Sequence, residues 1–188
     1  MNGIGAGFVL NNELYDGDSG QSGEIGHTSI NLHGPQCACG NRGCLDLYAN
    51  RENMCAKIAE LRGFYPGSPL SSLASPTWAD IITAGNARDA MAVSVLEEFC
   101  SYIACSLANA VNLLNLSSII VGYDSVGNGF IIEKLLQYKL SQLVLSAKYQ
   151  PLSVTHSTFN GDAPLLGSIA LVSSKVFHQE LPLAEFMD

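Results

Sequence analysis

Apolar residues recur at steps of three and four through Val93, Leu96, Cys100, Ile103, Leu107, Val111 and Leu114. That spacing predicts one long helix over residues 87–115 with a single buried face. Shorter helical patterns cover 46–62, through Leu47, Met54, Ile58 and Leu61, and 131–145, with a final helix over 165–177. Thr77-Trp78-Ala79-Asp80 is a helix-start signal ahead of a short helix through Ile82. The run Ser118-Ile119-Ile120-Val121-Gly122 reads as a buried parallel strand, and residues 152–156 as another. Residues 4–10 and 13–15 flank Asn11-Asn12, whose tolerance of positive φ suits a tight β-hairpin. Residues 28–32 alternate enough for a short strand. Residues 66–76 hold three prolines among serines and read as a loop of lid-like character. Helices alternating with strands define an α/β fold.

Composition narrows the function classes. The chain has 188 residues, 47% of them apolar and 14% charged, enough for one domain or one large lobe with a real core. A net charge of −8 without a basic cluster argues against nucleic-acid binding by this segment. No run reaches the roughly 18 uninterrupted apolar residues of a membrane span, and the N-terminus lacks the basic region of a signal peptide. A cytoplasmic location is the resulting expectation.

The densest chemistry lies between Gly23 and Asn50. Cys37, Cys39 and Cys44 fall within eight residues, with Gly40 and Gly43 permitting sharp turns. In a reducing compartment such a cluster reads as metal-binding. His27 is the nearest candidate for a fourth ligand. Four protein ligands of this kind suit tetrahedral Zn²⁺ and leave no open position, so the metal would be structural. The alternative is a loop carrying free thiols. Cys55, Cys100 and Cys105 sit in apolar helical stretches and read as small core residues. His33 reads as solvated, His156 as a hydrogen-bonded residue at a strand end, and Trp78 as a packing anchor.

Gly23-Glu24-Ile25-Gly26-His27, followed by Cys37-Ala38-Cys39-Gly40-Asn41-Arg42-Gly43-Cys44-Leu45, resembles the signature of the ROK family of sugar-responsive repressors, uncharacterised open reading frames and sugar kinases. Gly3-Ile4-Gly5-Ala6-Gly7 and residues 162–171 are also similar to the family pattern. The resemblance implies an actin-like, ribonuclease H-like fold of the sugar-kinase type. Residues 1–188 would be its C-terminal sugar-binding lobe, with a zinc-bearing loop. It implies that Glu24 accepts hydrogen bonds from sugar hydroxyls, which suits a carboxylate facing a polyol; on the residues alone Glu24 is equally a solvated loop carboxylate. It implies that His27 both ligates zinc and faces the sugar, and that Asp46 stands where the family usually has a Glu sugar contact, one methylene shorter.

The same resemblance implies that the aspartate general base of the kinases lies upstream of Gly3, so no catalytic residue is assigned to this chain. Kinases of the family carry a further glycine-rich turn beside the nucleotide. Here it reads Gly122-Tyr123-Asp124-Ser125, which puts bulk and negative charge where close backbone approach is expected. Gly3, Gly5 and Gly7 are candidates for phosphate contact, against a purely structural turn. The expected function is the effector-binding lobe of a transcriptional regulator that takes a sugar or sugar phosphate. DNA contact would come through an N-terminal domain outside this chain, and the protein would be a homo-oligomer. The alternative is the C-terminal half of an ATP-dependent sugar kinase.

Overall fold

The computed structural model describes residues 3–123, 129–159 and 162–177, and its architecture is mixed α/β. Strands β1 (Phe8–Leu10) and β2 (Glu13–Tyr15) form the expected antiparallel hairpin, with Val9 opposite Leu14. Asn11 and Asn12 supply the two positive φ angles, 54° and 65°, that a two-residue hairpin turn requires.

Helix α1 (Arg51–Leu61) starts five residues later than the apolar pattern suggests. Leu45–Leu47 makes a separate 3₁₀ turn, and the Asn50 side chain accepts the Asn53 N–H at 2.9 Å, fixing the helix start there. Helix α2 (Trp78–Asn86) begins with a reciprocal Thr77–Asp80 capping box and runs past Ile82. The long helix is α3 (Ala90–Leu114), not residues 87–115, because Arg88 takes a positive φ and Asp89 caps the new start by accepting from the Ala92 N–H.

One face of α3 buries Met91, Val95, Leu96, Cys100, Ala104, Ala108 and Val111 among residues of α1, α2 and α4 (Ile131–Leu143). By length and composition α3 would pass for a membrane span; here it is the core helix. Cys100 is the only one of the three scattered cysteines in that core. Cys55 is half-buried and Cys105 is exposed, since residue 105 falls off the buried face.

Strands β3 (Ser118–Val121) and β4 (Ser153–His156) pair in parallel, with α4 as the crossover. The expectation of a buried strand fails for one face of β3: Ile119 and Val121 pack on the core, but Ile120 is 71% exposed. Helix α5 (Ala163–Phe177) follows β4 and leaves Leu165, Ile169 and Val172 exposed.

Residues 66–76 are not a lid. Leu70 is buried, the Arg62 guanidinium donates to the Leu73 and Ala74 carbonyls, and Ser68 donates to Asp89 at 2.8 Å. These contacts tie the segment to the starts and ends of its neighbouring helices.

Leu96 is fully buried at the meeting of α2 and α3, and a Cβ added at Gly85 would lie 2.4 Å from its Cδ1. Truncation there leaves a cavity that rigid helices cannot close. Leu96→Ala is expected to lower unfolding free energy by about 2–5 kcal/mol, measured by urea denaturation.

Candidate metal and sugar site

Residues 28–32 do not form the expected strand. Ser29 makes a single bridge to Cys44, after which the Asn31 side chain accepts the His33 N–H at 3.0 Å and turns the chain. His33 is exposed, as its sequence context suggests. The return leg, Pro35 to Leu45, is sewn on by backbone bonds from Ile30 N to Gly43 O (2.9 Å) and Leu45 N to Thr28 O (3.0 Å), and Cys37 N to Asn41 O (2.8 Å) closes the turn within it. Gly43 sits at φ +64°, and a Cβ there would lie 1.8 Å from the Asn31 carbonyl oxygen. Only glycine fits this crossing.

The folded loop brings His27, Cys37, Cys39 and Cys44 together, with one ligand atom of each within 4.8 Å of all the others. Cys39 Sγ and Cys44 Sγ are 3.6 Å apart, and Cys37 Sγ is 3.8 Å from His27 Nδ1. Tetrahedral zinc with ordinary bond lengths needs S···S of about 3.8 Å and S···N of about 3.6 Å. The donor set and spacing therefore fit that ion. The histidine turns Nδ1 toward the thiols, which leaves Nε2 on the other side of the ring.

The three thiols are electrostatically unequal. The Cys39 backbone N–H, then its side chain, holds the Cys37 thiol down to about 7. Burial, followed by the neighbouring Cys37 and Cys39 sulfurs, pushes Cys44 up to about 12. Without a cation the Cys44 thiol resists ionisation beside its neighbours. A divalent ion removes that restriction.

The sugar-site candidates flank one short element. Ile25–His27 is a 3₁₀ turn with Glu24 at its start and His27 at its end, both exposed. Asp46 packs its carboxylate against Gly26, where an added Cβ would meet Asp46 Oδ1 at 2.5 Å and the Ile4 carbonyl at 2.4 Å. Asp46 Oδ1 accepts the Ile4 N–H at 2.9 Å, while Ala6 N–H donates to Gly23 O at 2.8 Å. The exposed Gly3-Gly5-Gly7 segment is thus laid along the turn, with two of its intervening amides already used.

Two features escape the sequence pattern. Thr28, next to His27, is hydrogen-bonded to Ser106 of α3 at 2.7 Å; a serine inside a long apolar helix was the available signal. The second is an aromatic box below Gly122. Tyr123 lies edge-on to Trp78 and His156, and its hydroxyl donates to Glu133 at 3.0 Å. His156 Nδ1 is 2.7 Å from the other Glu133 oxygen, so this carboxylate, only 5% exposed, has two partners. Burial, then the Glu133 charge, raises the Tyr123 hydroxyl above its ordinary value. Asp124 and Ser125 lie outside the described residues. A groove of about 640 Å³ between α4 and β4 is lined by Phe130, Glu133, Tyr138 and His156, and contains none of the thiol or sugar-site candidates.

The ROK family model matches residues 1–175, and the chain belongs to the ROK family. It is 29% identical over 170 residues to the xylose repressor of Bacillus subtilis, covering 90% of this chain and 41% of the repressor. Among solved structures it is similar to a ROK family transcriptional regulator described as a homologue of the Escherichia coli MLC protein, with a TM-score of 0.69 and 28% identity over 82% of this chain and 39% of that one. It also shares its fold with a ROK family glucokinase from Streptomyces griseus, with a TM-score of 0.76 and 22% identity over 90% of this chain and 57% of the kinase. The fold is therefore of the sugar-kinase type. The chain spans less than half the length of the repressor it matches.

Proposed function

We propose that this chain is the C-terminal, effector-binding lobe of a ROK-type transcriptional regulator. In this reading Glu24, His27 and Asp46 receive a sugar, and zinc on His27, Cys37, Cys39 and Cys44 fixes the turn that carries two of them. The observation that carries it is the placement of Glu24 and His27 at the two ends of one 3₁₀ turn, with His27 Nδ1 facing the thiols. Asp46 Oδ1 is engaged by Ile4, so Oδ2 is the oxygen left for a hydroxyl. A sugar phosphate would meet the exposed backbone of Gly3, Gly5 and Gly7. Ligand would act on DNA binding through its differential affinity for two arrangements of the whole protein. Cytoplasmic location and homo-oligomeric assembly belong to the same proposal.

Tyr123 favours a regulator over a kinase. The residue after Gly122 is a tyrosine, packed on the core against Trp78 and donating to Glu133, where the kinase pattern expects a further glycine. The kinase reading predicts that the full-length protein consumes ATP in the presence of sugar. A coupled assay is expected to show no sugar-dependent ATP turnover; turnover would establish the kinase instead.

Isothermal titration of zinc-loaded protein with D-xylose and D-glucose is expected to give saturable binding to one of them. Glu24→Gln should weaken it at least about tenfold, because charge-assisted hydrogen bonds are lost. Absence of binding to either sugar in full-length protein would count against the effector reading.

Metal analysis should find about one zinc per chain, and chelation should lower the melting temperature. Binding must expel protons, above all from Cys44, whose thiol lies far above neutrality. Apparent zinc affinity is therefore expected to fall steadily as pH drops from 8 to 6, measured by competition with a chromophoric chelator.

A further inference from the structure

Ser106 lies in the middle of α3, is 1% exposed, and is remote in sequence from the turn it touches. Its hydroxyl is 2.7 Å from Thr28 Oγ1 and 3.4 Å from the Ile25 carbonyl oxygen. Each hydroxyl has one proton to give. Thr28 Oγ1 lies 2.6 Å from Ile25 O, the same carbonyl that accepts the Thr28 N–H at 3.1 Å and so closes the turn. Either hydroxyl can donate in the 2.7 Å pair, and both reach the Ile25 carbonyl. The hydrogen bonds join α3 through Thr28 to the carbonyl that closes the turn.

Ser106 is one of three buried polar side chains among the described residues, with Ser68 and Glu133. A buried hydroxyl without a partner costs free energy, so its presence is accounted for only by what it holds. The turn's other polar ties come from the loop itself, Asn41 Nδ2 and Cys44 Sγ on the His27 carbonyl, and from the N-terminal segment, where Ile4 O accepts the Gly26 N–H at 3.0 Å. Ser106 instead refers the turn to the rigid core.

We propose that Ser106 is a positioning residue for the Glu24–His27 turn: through Thr28 it fixes the turn on α3, so that Glu24 and His27 are presented in one orientation. This rests on the metal and sugar reading above only for what the turn presents; the lock itself is a matter of hydrogen-bond geometry. The helix that carries Ser106 is packed by α1, α2 and α4, which gives the lock a fixed footing.

The test uses the whole chain as Ser106→Ala, Thr28→Val and the double variant, with Cys100→Ala as a control that loosens the same helix without touching the lock. Amide hydrogen exchange at residues 26–28 is expected to quicken about three- to tenfold in Ser106→Ala and in Thr28→Val, with the double variant no worse than the single ones. Zn²⁺ affinity, read by chelator competition, should fall by a similar factor because His27 is no longer preset. Cys100→Ala should lower the melting temperature and leave both readouts unchanged. Wild-type exchange in Ser106→Ala, or equal quickening in Cys100→Ala, would overturn the proposal. A wild-type chain that takes up no Zn²⁺ would overturn the metal reading alone, and the exchange measurement would still decide this one.

Discussion

The burial of one face of α3 is the constraint on which the described structure depends. Met91, Val95, Leu96, Cys100 and Ala104 fill a seam against α1, α2 and α4, and the parallel pair β3–β4 is fastened to the same body through Ile119, Val121 and Val154. A close-packed interior of this kind transmits small shifts rather than absorbing them. Two further pieces are tied to it by polar contacts from α3. The Asp89 cap that starts α3 also receives Ser68 from the proline-rich segment, and Ser106 reaches the turn beside the thiols. The least regular parts of the chain are thereby located by the most regular part.

The thiol cluster was legible in the sequence because its information is local. Three cysteines and two turn glycines within eight residues leave few ways to close the loop, and the folded distances match the donor set. The hairpin was legible for the same reason, through Asn11-Asn12. Helix boundaries were less so. Periodicity locates a buried face but not an end, and Asn50 and Asp89 move two helix starts by a few residues through side-chain caps that hydrophobic spacing does not register. The strand expected at residues 28–32 fails because Asn31 offers its own side chain to the backbone, a competition that alternation of apolar residues cannot reveal.

Burial is not legible in the sequence where it depends on what lies across an interface. Ser118-Ile119-Ile120-Val121 has the composition of a strand covered on both faces, and parallel sheets are ordinarily covered that way. With only β4 as a neighbour among the described residues, one face meets α3 and α4 while Ile120 faces outward. Cys105 shows the same limit on a helix, since it shares the apolar stretch of Cys100 but not its angular position. Long-range polar contacts were the other blind spot. Glu133 and His156 are 23 residues apart, and nothing in either local sequence announces that they meet beneath Tyr123.

The division of labour at the site follows from coordination chemistry. A cation held by three thiolates and an imidazole has no vacant position, so it neither activates water nor polarises a substrate oxygen. In the proposed reading its contribution would be geometric, acting on His27, whose Nδ1 lies 3.8 Å from Cys37 Sγ. In the same reading, the opposite edge of that ring, Glu24 at the other end of the same turn, and the Asp46 carboxylate packed on Gly26 are the groups left to meet a polyol. So read, such a site recognises its ligand by supplying acceptors and a rigid frame. That is the chemistry required of an effector site, where the free energy of binding has to appear as a change in protein conformation rather than in the ligand.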